Sequence, residues 1–497
     1  MSHLRIHSFT GTTDHDFTGL VPGELLEFDG TNIVSAGPMP GAGGIYGISN
    51  QNGEYTYYST LQDAIDAAFT GDTVQVFSNY TETGSTEVNL KDGVDINFNG
   101  YTYRKVTNDN TSMINASNVA CRILNGIIIR ENNGVTCINV DSSDIDFTGT
   151  KMIQSGTAFG SRIIFIQGDS KVRNGEIYQT ISTTTSYGID TLANDPCEIN
   201  NFYIESGQFG ARINTSNKKI SNCIIKSSNT GISTNTSDAN QIIIEKCTIN
   251  SDTGIGVDAF NSISIIDSSI KSNTNIGVRL RDSEIINSKC YSTTNIGLSV
   301  YSTNTNKKEI KIINTLTFSE GDIGAFFDRV HSKTIINNLY AFSLVSEGVH
   351  FDLRPRVAGS FPNQVAYNVD LDVFGLNSIS EADSSILIRC SPTFSIPPPN
   401  PEFRLSNFKA TSLWDDPDGH SIDFGINNIN SNYSNFDFYI NNGACTVENS
   451  SGHCLNNVNI FTCKFSNLTF AGSSAPINNV NQGMTNTADN YGNISID

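Results

Sequence analysis

Residues 276–300 read IGVRLRDSEIINSKCYSTTNIGLSV, and their pattern sets the fold. After Gly277, Val278 and Leu280 alternate with Arg279 and Arg281, the two-residue period of a strand with one face in a core. Ile285 and Ile286 then run into Asn287, a residue type that tolerates left-handed backbone and turns a chain. Three residues on stands Cys290, and at Ile296-Gly297-Leu298 the opening rung returns.

The same unit recurs on both sides. Ile265-Ile266-Asp267, Ile285-Ile286-Asn287, Ile312-Ile313-Asn314 and Ile335-Ile336-Asn337 set their turn residues 20, 27 and 23 positions apart. Ser221-Asn222 and Glu245-Lys246 stand 24 and 21 residues before the next member. The glycine rungs at Gly256, Gly277, Gly297, Gly324 and Gly348 repeat at 21, 20, 27 and 24. A period of 20 to 27 with strand chemistry means a solenoid. Leucine-rich repeats share that period but need a Leu and Asn framework that is missing, whereas three short strands and their turns use this length in a parallel β-helix.

Register follows from the rungs. One and three residues after the glycines stand Val257 and Ala259, Val278 and Leu280, Leu298 and Val300, Ala325 and Phe327, Val349 and Phe351, all apolar and so directed inward. Three residues after the turns come Ile225, Ile249, Ile270, Cys290, Thr317 and Tyr340, also expected inward. The outward side carries Asp258 and Phe260, Arg279 and Arg281, Ser299 and Tyr301, Phe326 and Asp328, His350 and Asp352, a vertical strip with coils about 4.8 Å apart.

One short helix stands at the start of this ladder. Leu61, Ala64, Ile65 and Ala68 form an apolar stripe, Ser59 and Thr60 can cap it, and Thr70-Gly71-Asp72 ends it before the strand of Val74 and Val76. Such a helix can plug the open apolar end of a solenoid.

The totals narrow the function. The chain has 497 residues, 16% of them charged, and a net charge of −20. An acidic surface repels phosphate backbones, so nucleic acid is not an expected partner. There is no run of 18 apolar residues and no apolar signal-peptide core in MSHLRIHSFTG, so neither membrane insertion nor Sec export is expected. Ten cysteines are scattered singly: a disulfide framework is open to an even count, zinc is barely supported, and the expectation is small buried hydrophobes in a reducing cytoplasm.

The chain divides into 1–45, an arm or adaptor ordered by a partner, in which LLEFDGTNIVSAG can form a hairpin; 46–100, the capping helix and first coils; 101–353, regular β-helix; 354–471, wider coils with loop insertions; and 472–497, an irregular tail.

Two stretches carry resemblances. AIDAAFTGDTVQVFSNYTE resembles the opening of pectate-lyase-like right-handed parallel β-helix proteins, whose fold hosts lyases, hydrolases, epimerases and non-enzymatic spikes. HSFTGTTDHDFTGLVPGELLEFDGTNIVSAG resembles segments at the start of bacteriophage tail fibres and tailspikes. That second likeness implies a homotrimer assembled in the host cytoplasm, joined to other virion proteins by its N-terminal arm and to a bacterial surface glycan by its β-helix.

The strip supports two chemistries. Asp328 and Asp352, on successive coils, fall near the ~5 Å carboxyl separation of retaining glycosidases, with Glu347, His350 and Arg329 nearby to tune them. Arg279 and Arg281 near Tyr301 and Asp258 suit recognition of a sugar or a sialic-acid-like carboxylate, with His350 and Trp414 as further glycan contacts. Contacts between subunits explain the same charges equally well. No cofactor is expected; Asp415, Asp416 and Asp418 in WDDPDGH could bind calcium, but a solvated turn explains them better, and His420 and His453 are too far apart in sequence for a metal pair. The expected function is a tail fibre or spike recognising host polysaccharide, with a depolymerase (glycoside hydrolase or lyase) and a purely structural head-fibre or baseplate component as rivals.

Overall fold

The computed structural model describes residues 24–28, 33–38, 44–49, 53–107, 110–131, 136–155, 160–180, 185–192, 195–214, 217–234, 241–260, 262–301, 309–328, 333–353, 357–358, 365–366, 370–389, 402–413, 420–425, 437–447, 455–457, 463–473, 477–479 and 495–496. It is a parallel β-helix. In one coil the strands Val257–Phe260, Ile263–Ile266 and Ser269–Ser272 follow one another, and each pairs in parallel with its counterpart in the next coil, Val278–Arg281, Glu284–Ile286 and Lys289–Ser292. The first strand of each coil joins a 16-stranded sheet that runs from Val88–Asn89 to Ile477–Asn479. The other two belong to a second, 28-stranded sheet.

The core is the column of inward residues. Val257, Val278, Leu298, Ala325 and Val349 are consecutive ladder partners, and all ten residues read as inward from the glycine rungs are fully buried. The rungs need glycine because neighbouring coils approach too closely for a side chain. A methyl group on Gly256 would stand 2.4 Å from the Gly277 carbonyl oxygen, and one on Gly277 would stand 2.6 Å from both Gly297 O and Tyr291 O.

Turns are built on left-handed residues. Asn222, Lys246, Asp267, Asn287, Asn314 and Asn338 all have φ between 49° and 56°. Asparagine side chains then stack up the solenoid: Asn338 Nδ2 donates to Asn314 Oδ1, and Asn314 Nδ2 to Asn287 Oδ1, each at 3.0 Å. One expected position is corrected here. The left-handed residue of its coil is Asn338 rather than Asn337, so Tyr340 points outward, 38% exposed, and Ala341 takes the core site. A one-residue slip reverses every side chain of a strand.

Where the third strand ends, buried serines pin the next bend. Ser272 Oγ donates to Gly254 O at 2.7 Å and accepts from Asn275 N at 2.9 Å; Ser292 does the same with Asn275 O at 2.6 Å and Asn295 N at 2.9 Å. Buried backbone groups that the ladders leave over are satisfied in this way.

The helix Leu61–Ala67 begins at Thr60, whose Oγ1 accepts from Asp63 N at 3.1 Å. Leu61, Ala64 and Ile65 are buried, and the helix packs on Tyr46–Ser49, Tyr55–Tyr58 and Val88–Asn89. Here Tyr46–Ser49 pairs antiparallel with both Tyr55–Tyr58 and Thr73–Val76, and from Thr73–Val76 onward the pairing between successive coils is parallel. The hairpin expected in LLEFDGTNIVSAG forms between Glu24–Phe28 and Ile33–Pro38.

Past residue 353 the coils lengthen: Val349 pairs with Ile386, and the insertion between them carries an antiparallel pair, Val357–Ala358 with Val365–Ala366. Within 472–497, read from the sequence as irregular, Ile477–Asn479 and Ser495–Ile496 still join the ladders. Cys121, Cys137, Cys197, Cys223, Cys247, Cys290 and Cys445 are buried and unbridged. Among the described residues no helix is long and apolar enough to cross a membrane.

Candidate functional site

The outward strip consists of two adjacent columns on the 16-stranded sheet. Asp258, Arg279, Ser299, Phe326 and His350 are successive ladder partners, as are Phe260, Arg281, Tyr301, Asp328 and Asp352. Parallel strands about 4.8 Å apart bring the flat side chains of one column within stacking distance. The Arg281 guanidinium accordingly lies between two rings, 3.6 Å from the centre of Phe260 and 4.2 Å from that of Tyr301.

Beside this stack, Arg279 Nε stands 3.4 Å from Asp258 Oδ1. Burial pushes the Asp258 carboxyl above its ordinary range, and the two arginines oppose that rise. Half-buried arginines around a carboxylate present N–H donors and acceptor oxygens together, a set that can meet sugar hydroxyls or a carboxylate.

The far end of the strip is more closed than its outward register implies. Asp328 is half-buried, but His350 is only 4% exposed and Asp352 1%. The His350 imidazole and the Phe326 ring meet nearly perpendicular with centroids 4.9 Å apart, and His350 Nδ1 lies 3.6 Å from Glu347 Oε1. Burial raises the Glu347 carboxyl, partly offset by Ser346 Oγ, which donates to Glu347 Oε2 at 2.5 Å. Asp328 and Asp352 are direct ladder partners, so the structure brings that pair together. Arg329, Trp414, Asp415, Asp416, Asp418 and His453 lie outside the described residues. His420 is buried, and among the described residues no group of three metal-ligating side chains occurs.

Sequence reading missed a second cluster on the same sheet. Going toward the N-terminus, Asp258 pairs with Ser233, Ser233 with Arg212, Arg212 with Asp190, and Asp190 with Phe165. Asp190 is fully buried, and its Oδ2 accepts from Arg162 Nη1 at 2.8 Å and Arg212 Nη2 at 2.6 Å. Its Oδ1 accepts from Arg212 Nε at 2.8 Å and Asn214 Nδ2 at 3.3 Å. Each arginine covers a ring, Arg162 over Phe165 at 3.7 Å and Arg212 over Tyr187 at 4.0 Å, and Arg212 Nη1 donates to the Tyr187 hydroxyl at 2.9 Å. The signal was present in Tyr187-Gly188-Ile189-Asp190 and Phe209-Gly210-Ala211-Arg212, glycine rungs with an aromatic residue in place of isoleucine.

No family model matches the chain, and no curated protein matches it. Among solved structures, PfbA, a surface adhesin of Streptococcus pneumoniae, is 13% identical, with 62% of this chain and 90% of that one covered and a TM-score of 0.34. The tailspike protein of E. coli bacteriophage HK620 in complex with a pentasaccharide is 11% identical over 88% of this chain and 74% of its own, at a TM-score of 0.31. The A-module of the mannuronan C-5 epimerase AlgE6 of Azotobacter vinelandii is 11% identical over 88% and 93%, at 0.30. These likenesses add nothing to what the hydrogen-bond ladders already establish, a parallel β-helix.

Proposed function

We propose that the chain is a bacteriophage tail fibre or spike whose β-helix recognises a bacterial surface polysaccharide on the face carrying Asp258, Arg279, Arg281 and Tyr301. The observation that carries the glycan reading is the Phe260–Arg281–Tyr301 stack. Two rings fix the plane of the guanidinium before any ligand arrives, which lowers the ordering cost of binding. Arg279 and Asp258 add a donor and an acceptor one column away. Attachment to other virion proteins through residues 1–45, and trimerisation, rest on the resemblance of the N-terminal arm and belong to the same proposal.

A depolymerase is the second reading, because Asp328 and Asp352 are ladder partners. The 1% exposure of Asp352 favours recognition over hydrolysis, since a catalytic carboxylate must touch its substrate. Incubation of the purified chain with host surface polysaccharide, following polymer length and reducing ends, separates the two. Bound but uncut polymer supports a receptor-binding spike. Shortening that stops in Asp328→Asn or Asp352→Asn makes the pair catalytic, and a polymer neither bound nor cut leaves a structural virion part.

A further inference from the structure

We infer that the glycan-reading face continues N-terminally into a second subsite at Arg162, Asp190 and Arg212, and that the polymer it takes is acidic, with a sugar carboxylate seated against Arg162. This rests on the reading of the face as a glycan site and adds the ligand's charge and its path.

Charge comes first. Two guanidinia surround one carboxylate at Asp190, and two flank one at Asp258, so each cluster keeps a local positive excess on a chain whose net charge is −20. Both clusters occupy one face, three ladder steps apart from Asp190 to Asp258, roughly 14 Å along the solenoid. Between them the column carries Ser233, a small side chain that leaves a shallow path along the axis.

Within the cluster the roles divide. Asp190 is saturated, its two oxygens accepting four hydrogen bonds, so it acts as a positioning residue rather than as a base. Arg212 spends all three nitrogens on Asp190 and Tyr187. Arg162 spends only Nη1, while its Nε is buried without a hydrogen bond. Its side chain is 20% exposed and held flat on Phe165. The Arg162 Nη2, which makes no hydrogen bond and is not buried, is oriented by the ring and the carboxylate and can donate to a ligand carboxylate.

The test uses the full chain, a panel of acidic and neutral bacterial capsular polysaccharides, and each acidic polymer again after chemical reduction of its carboxyl groups. The tightest ligand is expected to be acidic, and carboxyl reduction should weaken it about tenfold or more, the loss of one charge-assisted contact. Arg162→Gln should weaken the acidic polymer about as much and leave the reduced polymer unchanged. In that variant Asp190 keeps Arg212 and Asn214, and an unchanged β-sheet circular dichroism spectrum confirms the fold. A neutral tightest ligand, or indifference to both carboxyl reduction and Arg162→Gln, overturns the inference. Binding that Arg281→Gln abolishes while Arg162→Gln spares leaves the proposed function standing and removes only the subsite. No binding to any polymer removes the glycan reading itself, and the subsite with it.

Discussion

Replacing Asp190 with asparagine tests whether the newly found cluster is held as described. The carboxylate is 0% exposed and pairs with Arg162 and Arg212, whose side chains are 20% and 27% exposed. Losing one partner of a fully buried ion pair costs about 3–5 kcal/mol, because the other charge stays out of water uncompensated. Here the guanidinia keep some water, so about 2–3 kcal/mol is the better figure. Solenoids unfold in neighbouring blocks, and the loss should therefore be local. Amide hydrogen exchange in Arg162–Gln167, Tyr187–Thr191 and Phe209–Ile213 should quicken roughly 30- to 150-fold, at tenfold per 1.4 kcal/mol, while Val349–Asp352 stays as protected as before. Adding Arg162→Gln should recover about half of the loss, since one unpaired cation is gone. Exchange within threefold of wild type in those three strands would refute the ion-pair reasoning.

Three more outcomes follow from the geometry. Gly277→Ala should lower the denaturation midpoint by the equivalent of about 2–4 kcal/mol, because its methyl meets two backbone oxygens at 2.6 Å; Gly71→Ala, at φ 96° with nothing within 4 Å, should cost only about 1–2 kcal/mol. Equal losses in the two variants would contradict the close-approach argument. Ser292→Ala leaves Asn275 O and Asn295 N without their partner in the core and should cost about 1–3 kcal/mol by chemical denaturation; a neutral result removes the serine column from the list of stabilisers. Glu347 titrates above the ordinary carboxylate value of about 4.3, so the native state holds its proton longer than the unfolded chain and stability falls as pH rises through that window. Glu347→Gln removes this dependence, so its melting temperature should gain on wild type as pH rises above about 4.3; parallel curves would contradict burial as the cause.

Much of this fold was legible because a solenoid repeats its instructions. The rungs from Gly256 to Gly348 fixed ten inward positions, and the ladder pairs Arg281 with Tyr301 and Asp328 with Asp352 in the register those rungs imply. The slip at Asn337 arose where two asparagines stand together and either could turn the chain. Lys105 and Arg130 show another limit. They are ladder partners, fully buried on the column that later carries the serines, with Lys105 Nζ donating to Thr86 O at 2.9 Å and Arg130 Nη1 to Thr111 O at 2.7 Å. A charged residue reads as surface in a sequence, and only tertiary carbonyls reverse that. The burial of His350 and Asp352 was equally hidden, since strand alternation says which way a side chain points and nothing about what lies above it. The cluster at Asp190 was overlooked because its rungs begin with Tyr187 and Phe209 instead of isoleucine.

The most direct measurement is the affinity of the full chain for bacterial surface polysaccharides, with wild type beside Arg281→Gln and, as a control on the other sheet, Lys219→Gln. Recognition through the Arg281 stack predicts a binding polymer, about a tenfold or greater loss in Arg281→Gln, and no change in Lys219→Gln. Equal affinity in all three proteins, or no affinity for any polymer, would contradict it.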